Sequence, residues 1–212
     1  DTFNIDPSSL EEAIVSTTGL RRSAIIAVDL FGQAADYPEL SQIAAHYNLE
    51  LVVDAAQSLG GRNESANVGN LGDVTTTSFF PSKPLGAYGD AGASFTADPE
   101  LAKAMRQIIE HGQESRYKHV RLGLNGRMDA LQAAVLLSKL QVFDDELIKR
   151  NSVAEQYTEL LIEHVSHELV ELPTVQHYNK SSWAQYTIRV SRRDQVQNNL
   201  TQAGVPTAVH YP

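Results

Sequence analysis

Two short apolar runs, "AIIAVDLF" (24–31) and "LELVVDAA" (49–56), bracket the segment "YPELSQIAAHYN" (37–48), which has apolar residues at helical spacing behind a proline start. Each apolar run has the length of a buried strand. Strand, helix and strand within about 30 residues form a βαβ unit, and such a unit requires a parallel sheet with a right-handed crossover. This pattern sets the class of the fold as α/β.

The remaining segments extend that pattern. In "NIDPSSLEEAI", Asp6 can cap a helix, Pro7 suits its first position, and Glu11 and Glu12 lie near its positive end, so a helix to about Val15 is expected. "DVTTTSFF" (73–80) and "GASFTAD" (92–98) read as two more strands on either side of a loop. "PELAKAMRQIIEHG" (99–112) reads as a helix with His111 in its last turn and Gly112 in the terminating position. From Met128 to about Leu161 there is no glycine or proline, and Leu131, Ala134, Val135, Leu140, Phe143 and Leu147 keep helical spacing. One long or kinked helix is expected there, carrying the chain from a large domain (1–140) into a smaller one (141–212). Beyond it, "ELVELP" and "WAQYTIRV" read as strands, "RRDQVQNNLTQAG" as a helix and "VPTAV" as a strand, the start of an α+β domain. The chain begins at Asp1 and stops at "VHYP", just where an α/β pattern continues, so it reads as part of something longer.

Composition narrows the function. The 212 residues are 42% hydrophobic and 20% charged, enough for a real core. A net charge of -9 and scattered Lys and Arg argue against a nucleic-acid surface. With no cysteine, thiolate catalysis, disulfides and cysteine-based zinc sites are excluded, and a reducing cytoplasm is the simpler compartment. No apolar run approaches the ~20 residues of a membrane helix, and no signal pattern opens the chain. His164 and His167 in "EHVSHE" are three apart on a polar helix end, which suits a solvated face better than a metal pair.

The loop "SFFPSKPLGAYGDAG" (78–92) places one lysine, Lys83, between two prolines and ahead of three glycines. Ligands of parallel α/β sheets collect beyond the carboxyl ends of the strands. Asp54 ends "LELVVD", and Ser78 and Lys83 lie at or beyond the end of "DVTTTSFF", so a carboxylate, a hydroxyl and an amine can meet at one sheet edge. A strand-end Asp needs a cation or donors to offset its desolvation, and a protonated pyridine nitrogen meets that need. A lysine that loses its proton in a partly desolvated site can form a Schiff base. Together these point to pyridoxal phosphate chemistry. Two rival loop chemistries drop out. The glycines do not follow the dinucleotide fingerprint or precede a GK[ST], and Phe80 occupies the position where S-x-x-K acylation requires serine.

At this point "VVDAAQSLGG", "VGNLGD", "SFFPSKPLGAYGDAGA", "GLNGRMDALQAA" and "WAQYTI" together resemble the DegT/DnrJ/EryC1/StrS family of sugar aminotransferases, along nearly the whole chain. The resemblance implies a PLP-dependent transferase type I (aspartate aminotransferase-like) fold. It also implies pyridoxal 5'-phosphate as cofactor, glutamate and a nucleotide-linked keto sugar as substrates in surface-polysaccharide synthesis, and a homodimer with shared sites. Residue by residue, it gives Lys83 the covalent link to the cofactor, Asp54 the pyridine nitrogen and Gln57 the ring near its phenolic oxygen. Ser78 falls to the phosphate, and Asn125 reaches the phosphate across the dimer interface. Arg127, His210 and Tyr211 are candidates for the sugar nucleotide. The family carries roughly a hundred residues ahead of the point matching Asp1, among them a phosphate-binding turn. Two alternatives stand beside this reading: a sugar dehydratase, whose relatives carry histidine where Lys83 stands, and a binding or regulatory fragment without catalysis.

Overall fold

A computed structural model of the chain describes residues 2–64, 66–166 and 168–211. The first helix, α1 (Pro7–Ser16), starts as its sequence requires: the Asp6 carboxylate accepts from Ser9 N at 2.7 Å, and proline occupies the position whose N–H would have no intrahelical partner. β1 (Ala24–Val28), α2 (Tyr37–His46) and β2 (Glu50–Asp54) then form the βαβ unit, with β1 and β2 parallel and Val28 opposite Asp54. Asp36 caps α2 in the same manner as Asp6 caps α1.

Two short strands, β3 (Arg62–Asn63) and β4 (Ala66–Asn67), follow before β5 (Val74–Ser78) joins β2 in parallel, with Asp54 opposite Thr76. β6 (Gly92–Phe95) closes the sheet antiparallel to β5, giving the order β1-β2-β5-β6. α1 and α2 cover one face of this sheet. There Ile25, Ala27, Leu40, Ile43, Leu51 and Val53 form the main core, each large side chain contributing roughly 1.5–3 kcal/mol by leaving water. The opposite face is open, and Ile26 and Val28 are 66% and 41% exposed on it. Asp54, Thr76 and Ser78 share that open face through the parallel register and the two-residue alternation of strands.

α3 (Pro99–Ile109) ends two residues earlier than the sequence pattern suggests. His111 and Gly112 both take left-handed backbone conformations, at φ 61° and 75°, and turn the chain into the hairpin β7 (Gln113–Ser115) and β8 (Lys118–His119). Gly112 is required there, because a Cβ would lie 1.8 Å from the Arg121 carbonyl oxygen. The long helical stretch resolves as two helices, α4 (Ala130–Leu140) and α5 (Phe143–His164), separated by Gln141 and Val142. Leu136 of α4 and Phe143 and Leu147 of α5 converge on Phe79, Leu85 and Ala87 in a second core cluster under the Lys83 loop.

The rest of the chain holds β9 (Val170–Glu171), β10 (Asn179–Lys180), β11 (Arg189–Val190) and α6 (Arg193–Gln202). β9 pairs with β11, while β10 returns to pair with β3. The expected strand "VPTAV" does not form: residues 205–209 have no ladder partner. The 174–183 segment instead clasps the loop between β1 and α2. Gln33 donates to the Thr174 carbonyl and accepts from Gln176 N, Asn179 donates to the Ala34 carbonyl, and Tyr178 donates to Asp36. Gly32 permits this approach, since a Cβ there would lie 2.7 Å from Trp183 N. No helix among the described residues is long and apolar enough to cross a membrane.

Candidate active site

The carboxyl ends of β1, β2 and β5 lie side by side, and each delivers a polar side chain for a backbone reason. β2 ends at Asp54, whose carbonyl accepts from Asp29 N at 3.0 Å, while Ala55 N donates to the Thr76 carbonyl at 2.8 Å. These bonds extend the sheet pairing one residue past the strand ends. The half-buried Asp54 carboxylate accepts from Ala56 N at 3.0 Å through one oxygen, and no described donor meets the other.

Ser78 is half-buried at the end of β5, and its Oγ accepts from Phe80 N at 3.2 Å, which leaves its own O–H to donate elsewhere. The chain then turns: Lys83 N donates to the Phe80 carbonyl at 2.9 Å, and Ala87 N to the Phe79 carbonyl at 2.7 Å. Lys83 rises from this loop half-buried, its amine in no hydrogen bond or ion pair among the described residues. Gly86 allows the tight loop, because a Cβ would lie 2.4 Å from the Pro81 carbonyl oxygen.

Gln57 occupies the turn after Asp54 and is buried. Its Oε1 accepts from Phe31 N at 2.6 Å and its Nε2 donates to the Tyr211 hydroxyl at 2.8 Å. Phe31 holds a left-handed conformation, φ 59°, to offer that N–H. Tyr211 therefore reaches the site from the far end of the chain, bringing His210 beside it with ring centroids 5.5 Å apart. Asn125 and Arg127 are exposed beyond the hairpin, and neither side chain hydrogen-bonds to Asp54, Gln57, Ser78 or Lys83. Of the histidine pair, His164 ends α5 next to Glu163, and His167 lies outside the described residues.

The sequence reading missed Asp29. It directly follows β1, one residue past the Val28 that pairs with Asp54, and it is fully buried. Its carboxylate accepts from Ala35 N at 3.0 Å, Tyr37 Oη at 2.5 Å and Ser58 Oγ at 2.6 Å. Burial pushes its pKa up to about 6, against the lowering effect of those three donors, with a smaller upward push from Asp54. Burial, then Asp29 itself, drives the Tyr37 phenol well above its ordinary value, so Tyr37 stays a donor. Through Ser58, Asp29 ties down the turn that presents Asp54 and Gln57. The signal was in the sequence: "AVD" closes the first apolar run as "VVD" closes the second.

Residues 1–212 match the DegT/DnrJ/EryC1/StrS aminotransferase family from end to end. The chain belongs to this family. It is 49% identical over 211 residues to the UDP-2-acetamido-2-deoxy-3-oxo-D-glucuronate aminotransferase of Pseudomonas aeruginosa, covering 100% of this chain and 56% of that one. Its structure superposes with a TM-score of 0.93 on a DegT DnrJ EryC1 StrS aminotransferase from Brucella abortus, at 41% identity, over 100% of this chain and 56% of that one. NtdA from Bacillus subtilis, solved with the bound cofactor PMP, matches at a TM-score of 0.89 and 34% identity, over 100% of this chain and 48% of that one. The fold is that of the family's aminotransferases, a mostly parallel α/β sheet with helices on one face. The chain spans about half the length of the curated relatives it matches.

Proposed function

We propose that the protein carrying this chain is a pyridoxal phosphate-dependent aminotransferase that moves the amino group of glutamate to a nucleotide-linked keto sugar. The observation that carries the reading is the set of three groups at one sheet edge left with unused hydrogen-bonding capacity among the described residues: one oxygen of Asp54, the hydroxyl of Ser78 and the amine of Lys83. The donor set fits the cofactor. A carboxylate suits a protonated pyridine nitrogen, a hydroxyl can donate to a phosphate, and an amine with no ion pair is free to attack a carbonyl. Membership in an aminotransferase family and the PMP held by NtdA support the same choice.

Pyridoxal phosphate, when bound, supplies an aldehyde that condenses with an amine and a ring that withdraws electrons from the bond being broken. The side chains supply the rest. Asp54 would keep the ring nitrogen protonated, and Gln57, held rigid by Phe31 N and Tyr211, would lie against the ring. Ser78 would donate to the phosphate. Lys83 would hold the cofactor covalently and, once released by glutamate, would take the proton from Cα of glutamate and deliver it to the carbon that was the cofactor's aldehyde; with the keto sugar it would move a proton the opposite way, from that cofactor carbon to the sugar carbon that receives the amino group. The lysine disfavours a dehydratase, which the resemblance associates with histidine at this position.

Asn125 and Arg127 stand apart from this edge, and Leu122, Leu124 and Leu131 near them are strongly exposed, at 96%, 57% and 80%. These features support a homodimer in which Asn125 completes the partner's phosphate site and Arg127, His210 and Tyr211 meet the sugar nucleotide. A sequence without cysteine suits a reducing, cytoplasmic setting. Sedimentation of the full protein tests the pairing; a fully active monomer would contradict it. Borohydride reduction of the cofactor-loaded protein, followed by peptide mapping, tests the function itself. The pyridoxyl label is expected on Lys83, and a label on any other lysine rejects the assignment.

A further inference from the structure

Among the described residues the Lys83 amine has no hydrogen-bond or ion-pair partner, so its place depends strongly on the backbone that carries it. That backbone is a closed loop. Its near end is tied to the sheet by Phe79 N, which donates to the Ala91 carbonyl at 2.8 Å, and by the Phe79 carbonyl, which receives Ala87 N. Its far end, Gly86–Gly89, is held by another element. On α4, Gln132, Leu136 and Lys139 fall at i, i+4 and i+7, one helical stripe.

Leu136 packs in the same apolar cluster as Leu85 and Ala87. On one side of it, Gln132 Oε1 accepts from Tyr88 N at 2.8 Å. On the other, Lys139 Nζ donates to the Gly86 carbonyl at 2.6 Å and stands 4.9 Å from the centre of the Tyr88 ring. An ammonium on a carbonyl is a charge-assisted bond, stronger than a neutral one. The ring adds a cation–π attraction. The fit is close: a Cβ on Gly89 would lie 2.9 Å from Gln132 Nε2. Two backbone groups three residues after Lys83 and beyond are thus fixed by side chains that have no place in the chemistry.

We infer that Gln132 and Lys139 are positioning residues for Lys83, clamping the Gly86–Gly89 backbone so that the amine is presented at one fixed place on the sheet edge. The inference rests on the proposed role of Lys83. Its test uses the full protein freed of cofactor, as the double variant Gln132→Leu with Lys139→Met. Two quantities are read: amide hydrogen exchange along the chain, and the rate at which added pyridoxal phosphate becomes covalently attached, followed by visible absorbance.

Exchange at Ala87 and Tyr88 is expected to quicken by at least about tenfold while β1, β2 and α2 keep their protection. Covalent attachment is expected to slow by at least about tenfold, since small misplacement of a reacting group is costly. Gln132→Glu and Lys139→Arg keep an acceptor and a donor in place, and each should stay near the parent rate. Attachment at the parent rate despite a loosened loop overturns the inference, as does a loss of protection throughout the sheet, which would make the pair a general structural support. Mapping the attached lysine in the parent protein separates the two ideas. Attachment at Lys83 with no slowing in the variant rejects the clamp alone, whereas attachment elsewhere rejects the proposed function.

Discussion

Asp29 and Asp54 end adjacent parallel strands, joined through Asp29 N and the Asp54 carbonyl, yet their carboxylates face opposite situations. Asp29 is sealed beneath α2 and receives three donors, from Ala35, Tyr37 and Ser58. Asp54 opens onto the bare face of the sheet and receives one, from Ala56. A charge that the fold has already satisfied has nothing left to offer a ligand, while one left partly satisfied at the carboxyl edge of a parallel sheet does. Asp29 lies one residue past Val28, the partner of Asp54, and so turns to the helix-covered face, and a strand-end position alone does not distinguish a carboxylate open to a ligand from a structural one. The count of donors does.

Lys83 falls on the Asp54 side of this contrast, and its removal should have the largest effect. Lys83→Ala takes away a half-exposed amine with no partner among the described residues, so stability should change by less than about 0.5 kcal/mol, while transamination is lost to the limit of detection. Substantial remaining turnover would break the comparison at its chemical end.

Asp29 should show its difference in the pH dependence of stability. Its folded pKa, about 6, lies above its ordinary 3.8, so the folded protein holds that proton more tightly than the unfolded chain does. The cost of burying the charge is full above pH 6 and is relieved as pH falls through 6 toward 4. Relative to Asp29→Asn, the parent protein should therefore gain stability as pH falls, by roughly 2 kcal/mol between about pH 7.5 and about pH 4.5. Denaturant titrations at those two pH values measure this; a flat difference, or one that grows with rising pH, contradicts it. The smallest effect belongs to Ser58→Ala, which removes one donor from Asp29. It should cost about 1 kcal/mol at neutral pH and steepen the same pH dependence.

Much of this arrangement was legible in the residues because local rules and the global fold agree where apolar runs, proline starts and aspartate caps coincide. Asp6 with Pro7 marks α1, and the two apolar runs mark β1 and β2. Elsewhere tertiary contacts decided. "VPTAV" has strand composition but no sheet edge to pair with, and the break at Gln141–Val142 carries neither glycine nor proline. It serves to aim Leu136 and Phe143 into one cluster. The site divides along the same line. Asp54, Ser78 and Lys83 could be placed by strand ends, since chain position and parallel register determine them. Asp29 could not be separated from Asp54 in that way, because its burial depends on Tyr37 and Ser58 folding back over it. The contact of Tyr211 with Gln57 spans 154 residues and has no local signal.

The most direct measurement places Asp54→Asn and Asp29→Asn side by side in the full protein, following the glutamate half-reaction by stopped-flow absorbance and recording a thermal melt of each sample. Asp54→Asn keeps the shape of the side chain and removes its charge. It should melt near the parent temperature and slow the half-reaction by at least about a hundredfold, on the order of 3 kcal/mol in the barrier. Asp29→Asn should instead change the melt and its pH dependence more than the rate. A parent-like half-reaction in Asp54→Asn, with a lowered melting temperature, would contradict the account and make Asp54 the structural carboxylate of the pair.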